Sequence, residues 1–120
     1  MGTILMIDDE RDLRQKYKKI LKEQGYKVLE APDALEVANV LMREKSNISM
    51  ILLDIQMPDV DGRDIYDIVY EYAPNIPIII SSVIPIKDQK LRIPRARDYY
   101  QKSDSPDVLL KKVRSVLGNL

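Results

Sequence analysis

Short apolar segments alternate with longer amphipathic segments along the whole chain, and this alternation restricts the fold more than any other feature. Short apolar runs are typical of strands buried on both faces of a sheet, and apolar residues three or four apart are typical of helices. The predicted strands span residues 3–7, 26–30, 50–53, 78–80 and 97–100. The alternation predicts an α/β fold, a doubly wound parallel sheet of five strands with five helices covering both of its faces.

Four of the five predicted helices begin or end at residues that favour helix termini. These residues are Gly25 after the first helix, Asp33 before the second, Asp61 before and Pro74 after the third, and Ser105 with Pro106 before the fifth. Between Pro85 and Pro94 the helical pattern is weak, because a proline at each end leaves room for few turns. We therefore expect the fourth helix to be short or irregular.

Histidine and cysteine are both absent from the chain. Without them the protein can have no Ser-His-Asp or Cys-His catalytic group, no imidazole base and no ordinary structural zinc site. Any chemistry must therefore come from carboxylates, hydroxyls, lysines and a cation that prefers oxygen ligands.

Length and charge restrict the domain count and the partners. The 120 residues suit a single domain, residues 1–120, and the 19 acidic residues balance the 19 basic ones. A neutral chain is not expected to bind nucleic acid directly or to bind an anionic membrane. The most apolar stretch, residues 76–86, is shorter than the ~20 residues that cross a bilayer, and the first residues lack the basic start of a signal peptide. We expect a soluble, cytoplasmic protein.

Polar side chains follow four of the five predicted strands. They are Asp8 and Asp9 after the first strand, Asp54 after the third, Ser81 and Ser82 after the fourth, and Lys102 shortly after the fifth. Because parallel strands end at the same edge of a sheet, these groups are expected to lie close together. Three converging carboxylates would repel one another without a cation, and Mg²⁺ is the ion that accepts such ligands.

Each of these residues also has a simpler interpretation. Asp8 and Asp9 can cap the first helix, Asp54 can end a strand, the serines can bond to nearby backbone groups, and Lys102 can be a solvated lysine. Their coincidence at one edge favours a site. A carboxylate beside a cation, an ammonium and a hydroxyl can accept a phosphoryl group, and Asp54 is the best nucleophile because its strand is central.

Four segments of the chain resemble the receiver domain of two-component response regulators, and the resemblance covers essentially the whole chain. The segments are 4–10 (ILMIDDE), 52–62 (LLDIQMPDVDG), 77–82 (PIIISS) and 98–102 (DYYQK). This resemblance implies a flavodoxin-like, CheY-like sheet with the strand order 2-1-3-4-5.

The resemblance also implies a role for each site residue. It implies that Asp54 is the phosphoacceptor and that Lys102 pairs with the phosphoryl group. It implies that Mg²⁺ is held by the carboxylates of Asp8, Asp9 and Asp54 and by the backbone carbonyl of Gln56. It also implies that Ser82 is the switch hydroxyl and that Tyr99 changes rotamer on activation. The implied donor is a sensor histidine kinase or a histidine phosphotransfer protein. The implied output surface is formed by the fourth helix, the fifth strand and the fifth helix. It contacts an unknown output domain or target protein. Such a chain is a switch that assists its own phosphorylation and dephosphorylation rather than an enzyme.

Three features depart from the pattern of that family. Val83 follows the switch hydroxyl where a small residue is usual, and Ser103 with Asp104 follows Lys102 where proline and an aromatic residue are usual. The segment from Ser82 to Lys102 is also slightly short. No sequence pattern supports a homodimer through the fourth-helix face, which stays open.

Alternatives of other classes remain at this point. A pseudo-receiver that binds partners without phosphorylation is favoured by Val83 and the missing proline, and disfavoured by the intact carboxylates and lysine. A flavodoxin-like nucleotide binder would need glycines and hydroxyls after the first strand, and a haloacid-dehalogenase-type phosphatase would need an aspartate where Gln56 stands. The segment from Ser82 to Lys102 carries five basic residues, which favour a solvated face over a docking surface; they are Lys87, Lys90, Arg92, Arg95 and Arg97.

Overall fold

The computed structural model describes residues 2–58 and 60–118. The strands of this part of the chain are β1 (Thr3–Ile7), β2 (Lys27–Ala31), β3 (Met50–Leu53), β4 (Gln56–Met57), β5 (Val60–Asp61), β6 (Ile78–Ser82) and β7 (Asp98–Gln101). The helices are α1 (Arg11–Glu23), α2 (Ala34–Glu44), α3 (Gly62–Tyr72), α4 (Ile86–Arg92) and α5 (Pro106–Leu117), with a 3₁₀ turn at Lys45–Asn47.

Five parallel strands form the central sheet in the order β2-β1-β3-β6-β7. Counted among the sheet strands alone, this is the order 2-1-3-4-5, and the predicted α/β fold is confirmed. Strands β2 and β3 lie on opposite sides of β1, so the strand order reverses its direction at β1. We call the edge at which these parallel strands end the carboxyl edge.

The two faces of the sheet bury separate apolar clusters. Alternate residues of β3 point to opposite faces, so Met50 and Leu52 pack with α1 and α5, whereas Ile51 and Leu53 pack with α2 and α3. Burial on both faces explains why this strand is apolar throughout.

Residues predicted to favour helix termini lie at the start of α2 and α5 and after the end of α1. The Asp33 carboxylate accepts a hydrogen bond from the N–H of Glu36 at 2.9 Å, and the Ser105 hydroxyl accepts one from the N–H of Asp107 at 3.1 Å. Gly25, which follows α1, has a φ of 94°, a conformation that side chains with a Cβ rarely adopt.

Two features of the sheet region differ from the prediction. Strand β6 extends to Ser82, so both serines lie inside the strand and not after it. The antiparallel pair β4 and β5 was not predicted, because strands of two residues are too short to show an alternation. Strands β2 and β7 begin and end one residue later than predicted.

The short fourth helix is confirmed. Helix α4 has 7 residues and lies between Pro85 and Pro94. Its buried Gln89 donates from the side-chain amide to the carbonyl oxygens of Ile84 at 2.9 Å and Tyr100 at 3.0 Å. The bond to Tyr100 attaches the helix to β7. Within the described residues, no helix is long and apolar enough to cross a membrane.

Candidate functional site

Three charged side chains from three strands meet at the carboxyl edge. Asp8 follows β1, Asp54 follows β3 and Lys102 follows β7. Lys102 Nζ lies 2.6 Å from Asp8 Oδ2 and 3.1 Å from Asp54 Oδ2. The Lys102 side chain is only 4% exposed, so its ammonium is a buried partner of both carboxylates and not a solvated lysine.

Each of these two carboxylates is also held by the backbone. Asp8 Oδ1 accepts a hydrogen bond from the N–H of Glu10, and Asp54 Oδ1 accepts one from the N–H of Gln56, both at 2.9 Å. One oxygen of each carboxylate therefore faces an amide and the other faces the ammonium. This arrangement limits rotation of the carboxyl groups before any ligand arrives.

A third carboxylate, that of Asp9, lies beside this pair. One oxygen from each of Asp8, Asp9 and Asp54 lies within 4.8 Å of the others, and Asp9 is exposed to solvent. The three carboxylates and the ammonium of Lys102 leave two negative charges unbalanced when all are ionised. An all-oxygen donor set with this charge fits a hard divalent cation such as Mg²⁺.

Asp54 and Lys102 both have shifted pKa values. Burial raises the pKa of Asp54 above its usual range, and repulsion from Asp8 adds to this shift, although Lys102 and the Gln56 N–H oppose it. Burial alone would lower the pKa of Lys102, but attraction to Asp54 and Asp8 raises it overall. Lys102 therefore stays charged, while ionised Asp54 gains from any added positive charge.

Ser82 connects to the site through the backbone. Its carbonyl oxygen accepts a hydrogen bond from the N–H of Lys102 at 2.8 Å. Its hydroxyl is buried and accepts a long bond of 3.4 Å from the N–H of Ile84. The neighbouring Ser81 is buried too, and its hydroxyl has no hydrogen-bond partner among the residues that the structure describes.

Tyr99 points inward from β7 and connects this strand to α4. Its ring is buried, and its hydroxyl donates to the carbonyl oxygen of Ile93, the residue directly after α4. Lys90 Nζ lies 5.7 Å from the ring centroid. Burial raises the pKa of the Tyr99 hydroxyl, which therefore remains a donor at neutral pH.

Arg14 was not predicted to belong to the site. Its Nη1 donates to the carbonyl oxygen of Asp8 at 2.9 Å, and its Nε lies 3.0 Å from Glu30 Oε1. Lys18 Nζ lies 2.7 Å from the other oxygen of Glu30. The sequence pattern shows only two basic residues one helical turn apart, which does not indicate that one of them reaches Asp8.

The surface beside the site is partly apolar and partly basic. Val83 is 57% exposed directly after Ser82, and all five basic residues of the segment between β6 and β7 are exposed. Their exposure agrees with a solvated face, and a docking role for them stays untested. Asp59, which belongs to one of the four segments singled out above, lies outside the described residues.

Comparisons with known proteins agree with this geometry. Residues 4–114 match the family model of the response regulator receiver domain. The transcriptional regulatory protein YxdJ of Bacillus subtilis is 31% identical over 96% of this chain and 50% of its own length. The CAI-1 autoinducer sensor kinase/phosphatase CqsS of Vibrio cholerae is 34% identical over 92% of this chain and 16% of its own length. The chain thus spans half or less of these curated relatives.

Solved structures resemble the whole chain. A response regulator receiver domain protein (CheY-like) from Methanospirillum hungatei is similar at a TM-score of 0.87 with 25% identity, covering 98% of this chain and 94% of that one. The response regulator protein TrrA from Thermotoga maritima, solved in complex with Mg²⁺ and BeF, gives a TM-score of 0.86 with 28% identity, covering 98% and 100%. Since the family match spans nearly the entire chain and the fold agrees with it, the chain belongs to the response regulator receiver domains of two-component systems.

Proposed function

We propose that the chain is a phosphoacceptor switch in which Asp54 receives a phosphoryl group in the presence of Mg²⁺. The observation that supports this most strongly is the position of the buried Lys102 ammonium between Asp8 and Asp54, with the exposed Asp9 carboxylate beside them. The ammonium, together with a cation held by the carboxylates, would bring positive charge to a phosphoryl group next to its acceptor oxygen.

The donor is a phosphohistidine of a sensor histidine kinase or a histidine phosphotransfer protein. An oxygen of Asp54 forms a bond to phosphorus as the bond between phosphorus and the histidine nitrogen breaks, and the imidazole leaves with the electron pair. The sensor kinase/phosphatase CqsS and the transcriptional regulator YxdJ among the relatives are consistent with a kinase donor and with an output domain outside this chain.

Four groups would hold the cation, namely the carboxylates of Asp8, Asp9 and Asp54 and the backbone carbonyl of Gln56. When bound, Mg²⁺ supplies positive charge that offsets the charge on the phosphoryl oxygens. Lys102 already contacts Asp54 Oδ2 at 3.1 Å and keeps its charge, so it pairs with a phosphoryl oxygen after transfer. The solved Mg²⁺ and BeF complex of TrrA supports this use of the cluster.

The switch follows from new contacts of the phosphoryl group. The Ser82 hydroxyl, which holds only a long bond to the Ile84 N–H, can donate to a phosphoryl oxygen instead. Movement of β6 at Ser82 reaches the neighbouring β7 and Tyr99, whose hydroxyl is bound to the end of α4. Phosphorylation then shifts the population of conformations at the surface of α4, β7 and α5, because the phosphoryl group contacts one conformation better than the other. The chain acts as a switch and not as an enzyme on an external substrate.

The test of this proposal is phosphoryl uptake from acetyl phosphate, measured by intact-protein mass spectrometry. We expect the wild type to gain the mass of one phosphoryl group with Mg²⁺ and to gain none when EDTA removes the cation. The Asp54→Asn variant should gain none in either condition, because an amide cannot serve as the nucleophile. Asp64→Asn, an exposed substitution on α3, is the matched control and should behave as the wild type.

Equal uptake by Asp54→Asn and the wild type contradicts the assignment of Asp54. Absence of uptake by the wild type favours the alternative of a phosphorylation-independent interaction module. The exposed Val83 beside Ser82, and the serine in place of a proline after Lys102, are the features that speak for this alternative. The contacts of Lys102 with both carboxylates speak against it, because a module without phosphorylation has no need to bury an ammonium there.

A further inference from the structure

The turn that presents Lys102 has one backbone hydrogen bond to β6, from the Lys102 N–H to the Ser82 carbonyl oxygen, and one within itself. Lys102 and Ser103 are its two central residues, and the Asp104 N–H closes it by donating to the carbonyl oxygen of Gln101 at 2.9 Å. Lys102 is followed by Ser103, whose φ is not restricted as that of a proline would be. The position of the Lys102 side chain therefore depends on what else restrains this turn.

The hydroxyl of Tyr100 reaches the far side of the same turn. It donates to the carbonyl oxygen of Asp104 at 2.7 Å and lies 3.4 Å from that of Ser105. These are the two residues immediately before α5. A single hydroxyl from the end of β7 thus contacts the chain on the opposite side of Lys102.

The ring that holds this hydroxyl is fixed by packing. Tyr100 is 0% exposed and belongs to the apolar cluster beneath α1 and α5. Its ring lies edge-on to that of Tyr17, with 6.1 Å between the centroids and 90° between the planes. Burial raises the pKa of the Tyr100 hydroxyl, which therefore stays protonated and remains a donor. Phenylalanine would fill the same space without the hydrogen bonds, so packing alone does not require the hydroxyl.

We propose that Tyr100 is a positioning residue for Lys102: its hydroxyl holds the backbone at Asp104 and Ser105, and the turn then places Lys102 Nζ between Asp8 and Asp54. The lysine contacts both carboxylates at 2.6 and 3.1 Å, so a small displacement of the turn removes at least one of these contacts. This inference rests on the proposed function of Lys102 in phosphoryl transfer. Tyr100 itself touches neither carboxylate and acts only through the lysine.

The first test is the Tyr100→Phe variant, which keeps the ring and removes the hydroxyl. We expect the rate of Asp54 phosphorylation by acetyl phosphate at saturating Mg²⁺ to fall by about tenfold, since small errors of position cost rates of this order. The affinity for Mg²⁺ should not fall, because the variant removes none of the three carboxylates and only weakens the contacts of the ammonium that competes with the cation for them. Tyr26→Phe is the matched control, since Tyr26 is a buried tyrosine of the same apolar cluster that precedes β2, and it should react at the wild-type rate.

The second test is a double-mutant cycle with Lys102→Gln, because residues that act through one another are not additive. We expect Tyr100→Phe to cause no further loss of rate when Lys102 is already replaced. An equal loss in both backgrounds, or a wild-type rate in Tyr100→Phe alone, overturns the inference.

A third measurement needs no phosphoryl group. The NMR exchange lifetime of the Lys102 ammonium protons reports the bonds of Nζ to Asp8 and Asp54, and we expect this lifetime to shorten in Tyr100→Phe and to be retained in Tyr26→Phe. If the lifetime shortens but the wild type takes up no phosphoryl group, the proposed function fails and the positioning role stands. If the lifetime is unchanged in Tyr100→Phe, the positioning role fails whatever the phosphorylation result.

Discussion

At the scale of single residues, the buried charged groups of the site are held both by neighbouring backbone amides and by side chains from other elements. Asp8 provides the clearest case, because its carboxylate accepts from the Glu10 N–H and from Lys102 while its carbonyl oxygen accepts from Arg14. Arg14 is in turn held by Glu30. Replacement of Arg14 or Glu30 therefore affects the site without removing a group that would touch the phosphoryl group.

Glu30 provides a prediction of pH dependence. Its hydrogen bond from Lys18 lowers its pKa, burial opposes this, and Arg14 lowers the pKa further. Because the pKa of Glu30 is lower in the folded state than in the unfolded state, its ionised form stabilises the fold at pH values above the unfolded-state pKa. This contribution is lost as the pH falls through the folded-state pKa. We expect Glu30→Gln to reduce the free energy of unfolding by about 1 kcal/mol near pH 7 and by less near pH 3.

Urea unfolding at the two pH values checks this prediction, with Glu71→Gln on the exposed side of α3 as the control. The control should show no difference at either pH. A Glu30→Gln effect of equal size at both values would mean that the ion pairs do not contribute as described.

At the scale of secondary structure elements, α4 is the most weakly supported helix. With 7 residues between two prolines it cannot be stable by itself, and its one buried residue, Gln89, attaches it to β7. The connection bears on the proposed switch, because Tyr99 of β7 also bonds to Ile93, directly after α4. Helix α4 and β7 are therefore expected to move together.

The Gln89→Ala variant tests this connection. It leaves the carbonyl oxygens of Ile84 and Tyr100 without their amide donor, and loss of buried partners costs about 1–3 kcal/mol. We expect hydrogen exchange of the α4 amides to accelerate strongly while that of β3 is affected less, and the melting temperature to fall. Leu91→Ala on the same helix, where the side chain is 77% exposed, should leave both measurements unchanged. Slow exchange in α4 of the Gln89→Ala variant would show that other contacts hold the helix.

The elements differ in how far the sequence predicts them. Strand β3 and the caps at Asp33 and Ser105 were predicted correctly, because apolar runs and capping residues are local features. The extension of β6 to Ser82 was missed, since strand pairing with β7 and not side-chain type decides where that strand ends. The hairpin of β4 and β5 was missed because its strands have two residues each.

At the scale of the whole molecule, the doubly wound sheet explains why a sequence pattern could place the site. Residues after parallel strands meet at one edge, so Asp8, Asp54 and Lys102 were brought together from positions far apart in the chain. Arg14 and Tyr100 could not be found in this way, because they act through long side chains that cross between elements. The net charge of zero likewise does not show that acidic residues gather at the carboxyl edge and that exposed basic residues lie between β6 and β7.

The central claim is that one carboxylate of this edge, that of Asp54, receives the phosphoryl group. Its most direct test is reaction of the wild type with acetyl phosphate and Mg²⁺, followed by borohydride reduction, which converts an aspartyl phosphate to homoserine, and peptide sequencing by mass spectrometry. The account predicts homoserine at position 54 and intact aspartate at positions 8 and 9. Homoserine at position 8 or 9, or at no position, would contradict it.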